Sequence, residues 1–166
     1  DVIRIFANIH DEIPSKLLMI GDGPERTKAE SLCRELGIND AVRFLGKLEA
    51  VEEVLSVADL FLMPSEKESF GLAALEAMAC EVPVISSNTG GLPELNVQGV
   101  TGFMSPVGDV EDMTQKALFV LDKANLPGFK ANALKRAQEF DITRILPLYE
   151  DYYQRIMEKT ASKATI

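Results

Sequence analysis

The sequence predicts an α/β fold in which a Rossmann-like parallel sheet is flanked by helices, and two observations lead to it. Short apolar runs, typical of strands buried on both faces, alternate with longer segments whose apolar residues recur at helical spacing. Glycine and proline residues stand where one kind of segment gives way to the other. Strands that alternate with helices favour parallel pairing, because each helix returns the chain to the edge at which the preceding strand started.

The predicted elements follow one another in a regular order. The strands are the apolar runs at residues 16–20, 42–45, 60–64, 83–86 and 102–104. The helices lie at residues 1–12, 24–36, 51–57, 71–80, 110–124, 128–139 and 143–158. Pro14 closes the first helix, Pro24 suits the first turn of the second, and Gly37 lies just beyond its end. Gly90 and Gly91 predict a turn between the fourth and fifth strands.

Length and composition indicate one domain. A chain of 166 residues, of which 46% are hydrophobic, can bury a single compact core. We expect this domain at residues 1–158, followed by a disordered tail at residues 159–166, where no pattern is visible. Because the first residues already lie in a predicted helix, we expect that the strand feeding it precedes Asp1 and that the domain is truncated at its N-terminus.

The charge and the cysteines limit the partners and the compartment. Lys and Arg total 17 against 26 Asp and Glu, and the net charge of −9 repels nucleic acid and anionic membranes. No apolar run approaches the roughly 20 residues that a membrane-spanning helix needs. Cys33 and Cys80 lack the spacing of a disulfide framework or a metal site, so we expect reduced thiols and a cytoplasmic protein.

The segment at residues 64–80 carries the pattern with chemical meaning. It follows the carboxyl end of a predicted strand and opens a helix, which is where open α/β sheets bind their ligands. A helix that starts at Gly71 presents unpaired backbone N–H groups, and glycine lets an anion approach the backbone closely. The pattern therefore predicts a diphosphate at this turn.

Glu68 and Glu76 flank that turn. Glu68 precedes the helix and Glu76 lies inside it, so the carboxylates are separated by up to about 12 Å. A carboxylate accepts hydrogen bonds from vicinal hydroxyls, as needed to orient a sugar or to hold a ribose. The residues alone leave a second interpretation open, in which Glu68 is ordinary loop charge and Glu76 is a carboxylate on an apolar stripe, which is costly without partners.

The same segment resembles the E-x7-E signature of the retaining glycosyltransferases of the GT-B fold, family 4. The resemblance continues through AMACEVPVI at residues 77–85 and GGLPE at residues 90–94. GDGPE at residues 21–25, VRFLG at 42–46 and GVTGF at 99–103 fall where the family places its other loops. The resemblance covers nearly the whole chain and implies the C-terminal, donor-binding half of a two-domain enzyme.

The resemblance also implies roles for the residues of the turn. Glu68 would contact the hydroxyls of the donor hexose and is the candidate catalytic residue, although we expect it to bind the sugar rather than to act as a general acid or base. The donor-binding turn comprises Ser69, Phe70, Gly71 and Leu72, and the last three would offer backbone N–H groups to the diphosphate.

Three further residues are implied to line the donor site. Glu76 would bind the ribose, the backbone near Leu48 would meet the base, and Gly21 would form a second wall of the cleft. His10, the only histidine, ends a predicted helix far in sequence from the turn, and we assign it no catalytic role. No spacing of Asp, Glu or His suits a metal, so we expect neither a metal nor a cofactor beyond the UDP-sugar substrate.

Within the family, residues 65–80 look closest to the branch that serves bacillithiol biosynthesis. This likeness implies UDP-N-acetylglucosamine as donor and L-malate as acceptor, the acceptor being presented by an N-terminal domain. In the family, an Arg and a Lys that neutralise the donor phosphates lie ahead of the position matching Asp1. We therefore expect the chain alone to bind UDP weakly and to transfer no sugar. Glu81 stands where the family usually has glycine, a change that costs stability at a helix end.

Three other functions stay open at this point. A nucleotide-sugar epimerase on the same two-domain fold would use the donor without any acceptor. A non-enzymatic nucleotide-sugar-binding module would keep the binding half alone. A family 4 transferase with a lipid or polysaccharide acceptor would share the donor site and differ in the other domain.

Overall fold

The chain alternates strands and helices as the sequence predicts. The computed structural model describes residues 1–163, of which residues 160–163 are described by their backbone alone. The strands are β1 (Leu17–Ile20), β2 (Val42–Gly46), β3 (Phe61–Met63), β4 (Val84–Ser87) and β5 (Gly102–Ser105). The helices are α1 (Val2–Glu12), α2 (Arg26–Glu35), α3 (Val51–Leu55), α4 (Leu72–Ala79), α5 (Leu92–Leu95), α6 (Val110–Leu121), α7 (Leu126–Gln138) and α8 (Ile142–Lys163). Every predicted strand lies within one residue of its observed bounds.

All strand pairs are parallel, but they form two sheets rather than the predicted one. β1 pairs with β2, with Leu17 opposite Val42, while β4 lies between β3 and β5 in a three-stranded sheet. Among residues 1–163, no hydrogen-bonded strand pair connects the β1–β2 sheet with the β3–β5 sheet, so the predicted continuous sheet is interrupted between them.

Helix α1 joins the two sheets. Its Ile3 and Phe6 pack in one buried cluster with Val42 of β2, whereas its Ile9 packs in another with Ile85 of β4. Because successive apolar residues of an amphipathic helix spread over a wide face, one helix can cover both sheets. The two halves of the fold therefore share α1 as a common cover.

A third buried cluster supports the segment between β3 and α4. Ala74 and Met78 on the inner face of α4 are fully buried against Val84 of β4 and Leu92 of α5. Close packing on this scale resists any change of volume. The inner face of α4 is therefore fixed, and its N-terminus is held at the carboxyl end of the β3–β5 sheet.

The two largest differences from the prediction are an additional short helix and a longer C-terminal helix. Residues 92–95 form the short helix α5, where only the turn at Gly90 and Gly91 was expected. Helix α8 continues to Lys163 instead of ending at residue 158, because no proline or glycine follows that position to stop it. Residues 159–163 of the predicted tail continue this helix, while residues 164–166 lie outside the described residues. No helix within residues 1–163 combines the length and apolarity needed to cross a bilayer.

Candidate functional site

The turn at the start of α4 depends on a glycine. Gly71 is the N-cap residue and has φ +101° and ψ 46°, in the left-handed region that glycine enters without steric cost. A Cβ atom at this position would lie 2.7 Å from Cδ2 of Leu92. No side chain caps the helix at Gly71, so the N-terminus of α4 carries the partial positive charge of its unpaired N–H groups. The predicted turn is thus in place, with α4 beginning at Leu72.

Glu68 folds back onto the backbone of its own loop. Its Oε1 accepts hydrogen bonds from the backbone N–H groups of Ser69, at 2.9 Å, and of Phe70, at 3.4 Å. The side chain is half-buried, so it is neither a freely solvated loop charge nor a core group. Two amides near the N-terminus of α4 therefore bind an anionic oxygen in this structure, and that oxygen belongs to Glu68.

The loop between β4 and α5 holds Glu68 in place. The backbone N–H of Gly91 donates to the carbonyl oxygen of Glu68 at 3.3 Å, and Oγ1 of Thr89 donates to that of Glu66 at 3.3 Å. A Cβ atom at Gly90 would lie only 1.6 Å from the carbonyl oxygen of Glu68. Glycine is therefore required for the two loops to touch. From the sequence, this glycine pair predicts only a turn, and the local signal is that the two glycines are adjacent.

Glu76 lies on the solvent-facing side of α4. It is exposed beside Leu72, which is 66% exposed, while Ala74 and Ala77 form the buried face. The predicted apolar stripe around Glu76 is thus a surface, and its carboxylate does not bear the desolvation cost that burial would impose. Glu76 is consequently available to a ligand lying over the first turns of α4.

The thiol of Cys80, at the C-terminal end of α4, responds to the charge of Glu76. Burial raises the pKa of the Cys80 thiol, and the nearby carboxylates of Glu52 and Glu76 raise it further. A raised pKa keeps the sulfur protonated at neutral pH, and the protonated thiol is a poor nucleophile. Both Cys33 and Cys80 are unpaired thiols, as the sequence predicts.

Gly21 and Leu48 lie at the carboxyl edge of the other sheet. Gly21 follows β1 directly with φ +110°, and its N–H donates to the carbonyl oxygen of Gly46 at 2.7 Å. Leu48 follows β2 by two residues and is 37% exposed. The two residues thus belong to neighbouring loops at the ends of β1 and β2, whereas Glu68 and Glu76 follow β3.

His10 occupies a structural position at the end of α1. Its ring stacks on Phe6 with a centroid distance of 5.5 Å, and its Nδ1 is 3.4 Å from Oγ of Ser15. Within residues 1–163, no group of three His, Cys, Asp or Glu side chains is arranged to hold a metal ion.

A cavity of about 300 Å³ between α2 and β2 is separate from the turn. Arg26, Cys33 and Phe44 are among its lining residues, none of which belongs to residues 64–80. The Arg26 guanidinium lies over the Phe44 ring at 5.6 Å and pairs with Glu30 at 2.9 Å. The cation is therefore already partnered within the fold.

The chain is similar to known proteins along most of its length. Residues 1–138 match the family model described as "Glycosyl transferases group 1". The chain is 42% identical over 162 residues to the N-acetyl-alpha-D-glucosaminyl L-malate synthase of Bacillus anthracis, covering 95% of this chain and 42% of that protein. The resemblance to the branch that uses malate, expected from residues 65–80, is thereby confirmed.

Two solved structures share the fold. The sucrose-phosphate synthase of Thermosynechococcus elongatus superposes with a TM-score of 0.82 at 30% identity, over 95% of this chain and 42% of the other. The Anabaena protein HepE, solved in complex with UDP and glucose, superposes with a TM-score of 0.76 at 27% identity, over 98% of this chain and 44% of the other. The chain thus spans less than half the length of these relatives. With its fold, its turn and the family match over residues 1–138, the chain belongs to the group 1 glycosyl transferases.

Proposed function

We propose that the chain is the donor-binding half of a retaining glycosyltransferase and holds a UDP-sugar over the N-terminus of α4. The observation that carries the proposal is the contact of the Glu68 carboxylate with the backbone N–H groups of Ser69 and Phe70. Amides that bind one anionic oxygen are suited to bind the oxygens of a diphosphate. The complex of HepE with UDP and glucose supports a nucleotide-sugar ligand in this fold.

The proposed roles follow from the two sides of the turn. The donor diphosphate displaces the Glu68 carboxylate from the amides, and Glu68 then accepts hydrogen bonds from the hydroxyls of the donor sugar. Glu76, exposed on α4, accepts hydrogen bonds from the ribose. The backbone near Leu48 meets the base, and Gly21 borders the cleft. Neither a metal nor a cofactor is part of the proposal.

The chemical step exchanges one bond at the anomeric carbon of the sugar. The bond from this carbon to the diphosphate oxygen breaks as the acceptor hydroxyl attacks from the same face, and the hydroxyl proton passes to the leaving diphosphate. Backbone amides aimed at the diphosphate stabilise the negative charge that develops there. Closure of a second domain over the site would exclude water.

The proposed donor is UDP-N-acetylglucosamine and the proposed acceptor is L-malate. The support is the 42% identity to the Bacillus anthracis N-acetyl-alpha-D-glucosaminyl L-malate synthase, which covers 95% of this chain. This assignment places the protein in bacillithiol biosynthesis and in the cytoplasm, where its unpaired thiols would stay reduced.

The proposed partner of this half is an N-terminal acceptor domain of the same protein. Helix α8 presents five large side chains that are 58–66% exposed: Leu148, Tyr149, Tyr152, Tyr153 and Met157. A contiguous exposed apolar face is typical of an interaction surface. The relatives are more than twice as long as this chain, so their remaining length is sufficient for a second domain. On this proposal the chain alone binds UDP weakly and transfers no sugar.

The experiment is a calorimetric titration of the chain with UDP, using Glu76→Ala and the matched control Glu66→Ala. Glu66 is an exposed carboxylate in the loop that precedes α4, and we assign it no ligand contact. We expect Glu76→Ala to weaken UDP binding on the order of tenfold, because hydrogen bonds from the ribose hydroxyls to a charged acceptor are lost. The proposal would be wrong if the chain bound no UDP, or if the Glu66 and Glu76 variants were equally affected.

A further inference from the structure

An aromatic side chain from a distant segment packs behind the donor turn. Phe140 lies between α7 and α8, and its ring meets the Phe70 ring edge-on with centroids 5.6 Å apart. Both rings are half-buried, and Phe140 also packs against the core cluster beneath α4. The backbone N–H of Phe70 belongs to the turn. Because the Phe70 ring is held by its contact with Phe140, the direction of this N–H is restricted.

Arg136 anchors Phe140 to the neighbouring helix. Its guanidinium lies 4.9 Å from the centroid of the Phe140 ring, an arrangement that adds a cation–π attraction. Its Nε donates to the carbonyl oxygen of Leu95 at 3.1 Å, and a terminal nitrogen donates to that of Glu94. These carbonyls belong to the last turn of α5, where a positive charge is favourable.

The pair of Arg136 and Phe140 therefore reaches both sides of the turn. Phe140 contacts Phe70 directly. Arg136 holds the end of α5, the helix whose preceding glycine, Gly91, hydrogen-bonds the backbone of Glu68. The two amides that bind the Glu68 oxygen lie between these supports.

We propose that Phe140 is a positioning residue for the donor diphosphate, with Arg136 as its support. This inference rests on the proposed function, because it assigns the amides of Ser69 and Phe70 to the diphosphate. Phe140 does not touch the donor; it fixes the direction of the Phe70 amide through the ring contact. Loss of the ring leaves the turn in place but lets its amides spread over several directions, which weakens their joint hold on an anion.

The test compares Phe140→Ala and Phe140→Leu with Phe119→Ala in the 166-residue chain. Phe119 is a matched control, because it is an aromatic residue paired edge-on with Phe103 at 5.7 Å on a part of α6 that we assign to no site. The readouts are the amide resonances of Ser69 and Phe70, the affinity for UDP, and the free energy of unfolding in urea.

The expected result separates positioning from general packing. Phe140→Ala should shift the amide resonances of Ser69 and Phe70 without UDP and weaken UDP binding about five- to tenfold, as the loss of an aromatic pair allows. Phe140→Leu, which keeps an apolar side chain and so retains the fold, should shift the same resonances and weaken UDP binding about threefold. Phe119→Ala should leave both unchanged even if its free energy of unfolding falls.

Two other outcomes would overturn the positioning role of Phe140 or the proposed binding of UDP. If Phe140→Leu is folded and leaves the two amides and the UDP affinity as in the unsubstituted chain, Phe140 is a packing residue only. If the unsubstituted chain binds no UDP, the proposed function fails, and unchanged amide resonances in the Phe140 variants would then reject the positioning role independently.

Discussion

Replacing Glu81 by glycine is expected to stabilise the chain, because Glu81 has φ +63° and is the one non-glycine residue with positive φ among residues 1–163. It ends α4 in a Schellman motif. The N–H of Val82 donates to the carbonyl oxygen of Ala77 at 2.9 Å, and the N–H of Glu81 donates to that of Met78 at 3.1 Å. The motif holds the left-handed conformation in place although the side chain opposes it.

The magnitude follows from three contributions. A left-handed conformation costs a residue with a Cβ atom about 1–2 kcal/mol, which glycine avoids. Glycine also has more conformational freedom in the unfolded chain, and losing it on folding reduces the gain in stability by about 0.5–1 kcal/mol. Removal of a negative charge from the negative end of the α4 dipole adds a few tenths of a kcal/mol. The net expectation is about 1 kcal/mol, which raises the melting temperature of a chain of this size by about 2–4 °C.

The assay is urea unfolding of the original chain, of the Glu81→Gly variant and of the control variant Glu81→Gln. The glutamine variant removes the charge and keeps the backbone penalty, so we expect it to gain only a few tenths of a kcal/mol. A glycine variant no more stable than the original chain, or a glutamine variant with the full gain, would refute the backbone explanation.

Three further predictions concern the site. Gly90→Ala should separate the two loops, because its Cβ atom would lie 1.6 Å from the carbonyl oxygen of Glu68. It should weaken UDP binding more than the control Gly108→Ala, whose Cβ atom meets nothing within 4 Å. Equal effects of the two substitutions on UDP binding would contradict the importance of the contact between the loops. Alkylation of Cys80 by iodoacetamide at neutral pH should be slower than that of free cysteine and should accelerate in Glu76→Gln, since the Glu76 carboxylate helps to raise the pKa of this thiol; an unchanged rate would argue against their proximity. Glu68→Ala should bind UDP at least as well as the original chain, because the amides of Ser69 and Phe70 are freed. This variant should also lose the preference for UDP-N-acetylglucosamine over UDP. A large loss of UDP affinity would reject the displacement of Glu68 by the diphosphate.

The strands could be predicted because their signal is local. Each is a short apolar run that ends near glycine, proline or a polar residue, and β4, which is buried along its whole length, illustrates the pattern most fully. Helix α5 was not predicted, because four residues are too few to show a helical period and Pro93 reads as a turn residue. The predicted α8 is too short, because no proline or glycine marks the end of this helix in the sequence.

The turn of the candidate site could be located from the sequence, but the contacts that support this turn could not. The place of Glu68 and Glu76 around Gly71 follows from the order of strand, turn and helix, which local patterns reveal. The contact of Gly90 with Glu68 and that of Phe140 with Phe70 join residues 22 and 70 positions apart, and no local pattern encodes such pairs. The exposure of Glu76 likewise depends on which face of α4 meets β4 and α5.

The central claim is that the turn at the start of α4 binds the donor diphosphate, and titration of the ¹⁵N-labelled chain with UDP tests it most directly. We expect progressive shifts of the backbone amide resonances of Ser69, Phe70, Gly71 and Leu72, with a smaller shift at Glu76. Unchanged resonances at this turn, or shifts confined to residues such as Arg26 and Phe44 around the cavity between α2 and β2, would contradict the account.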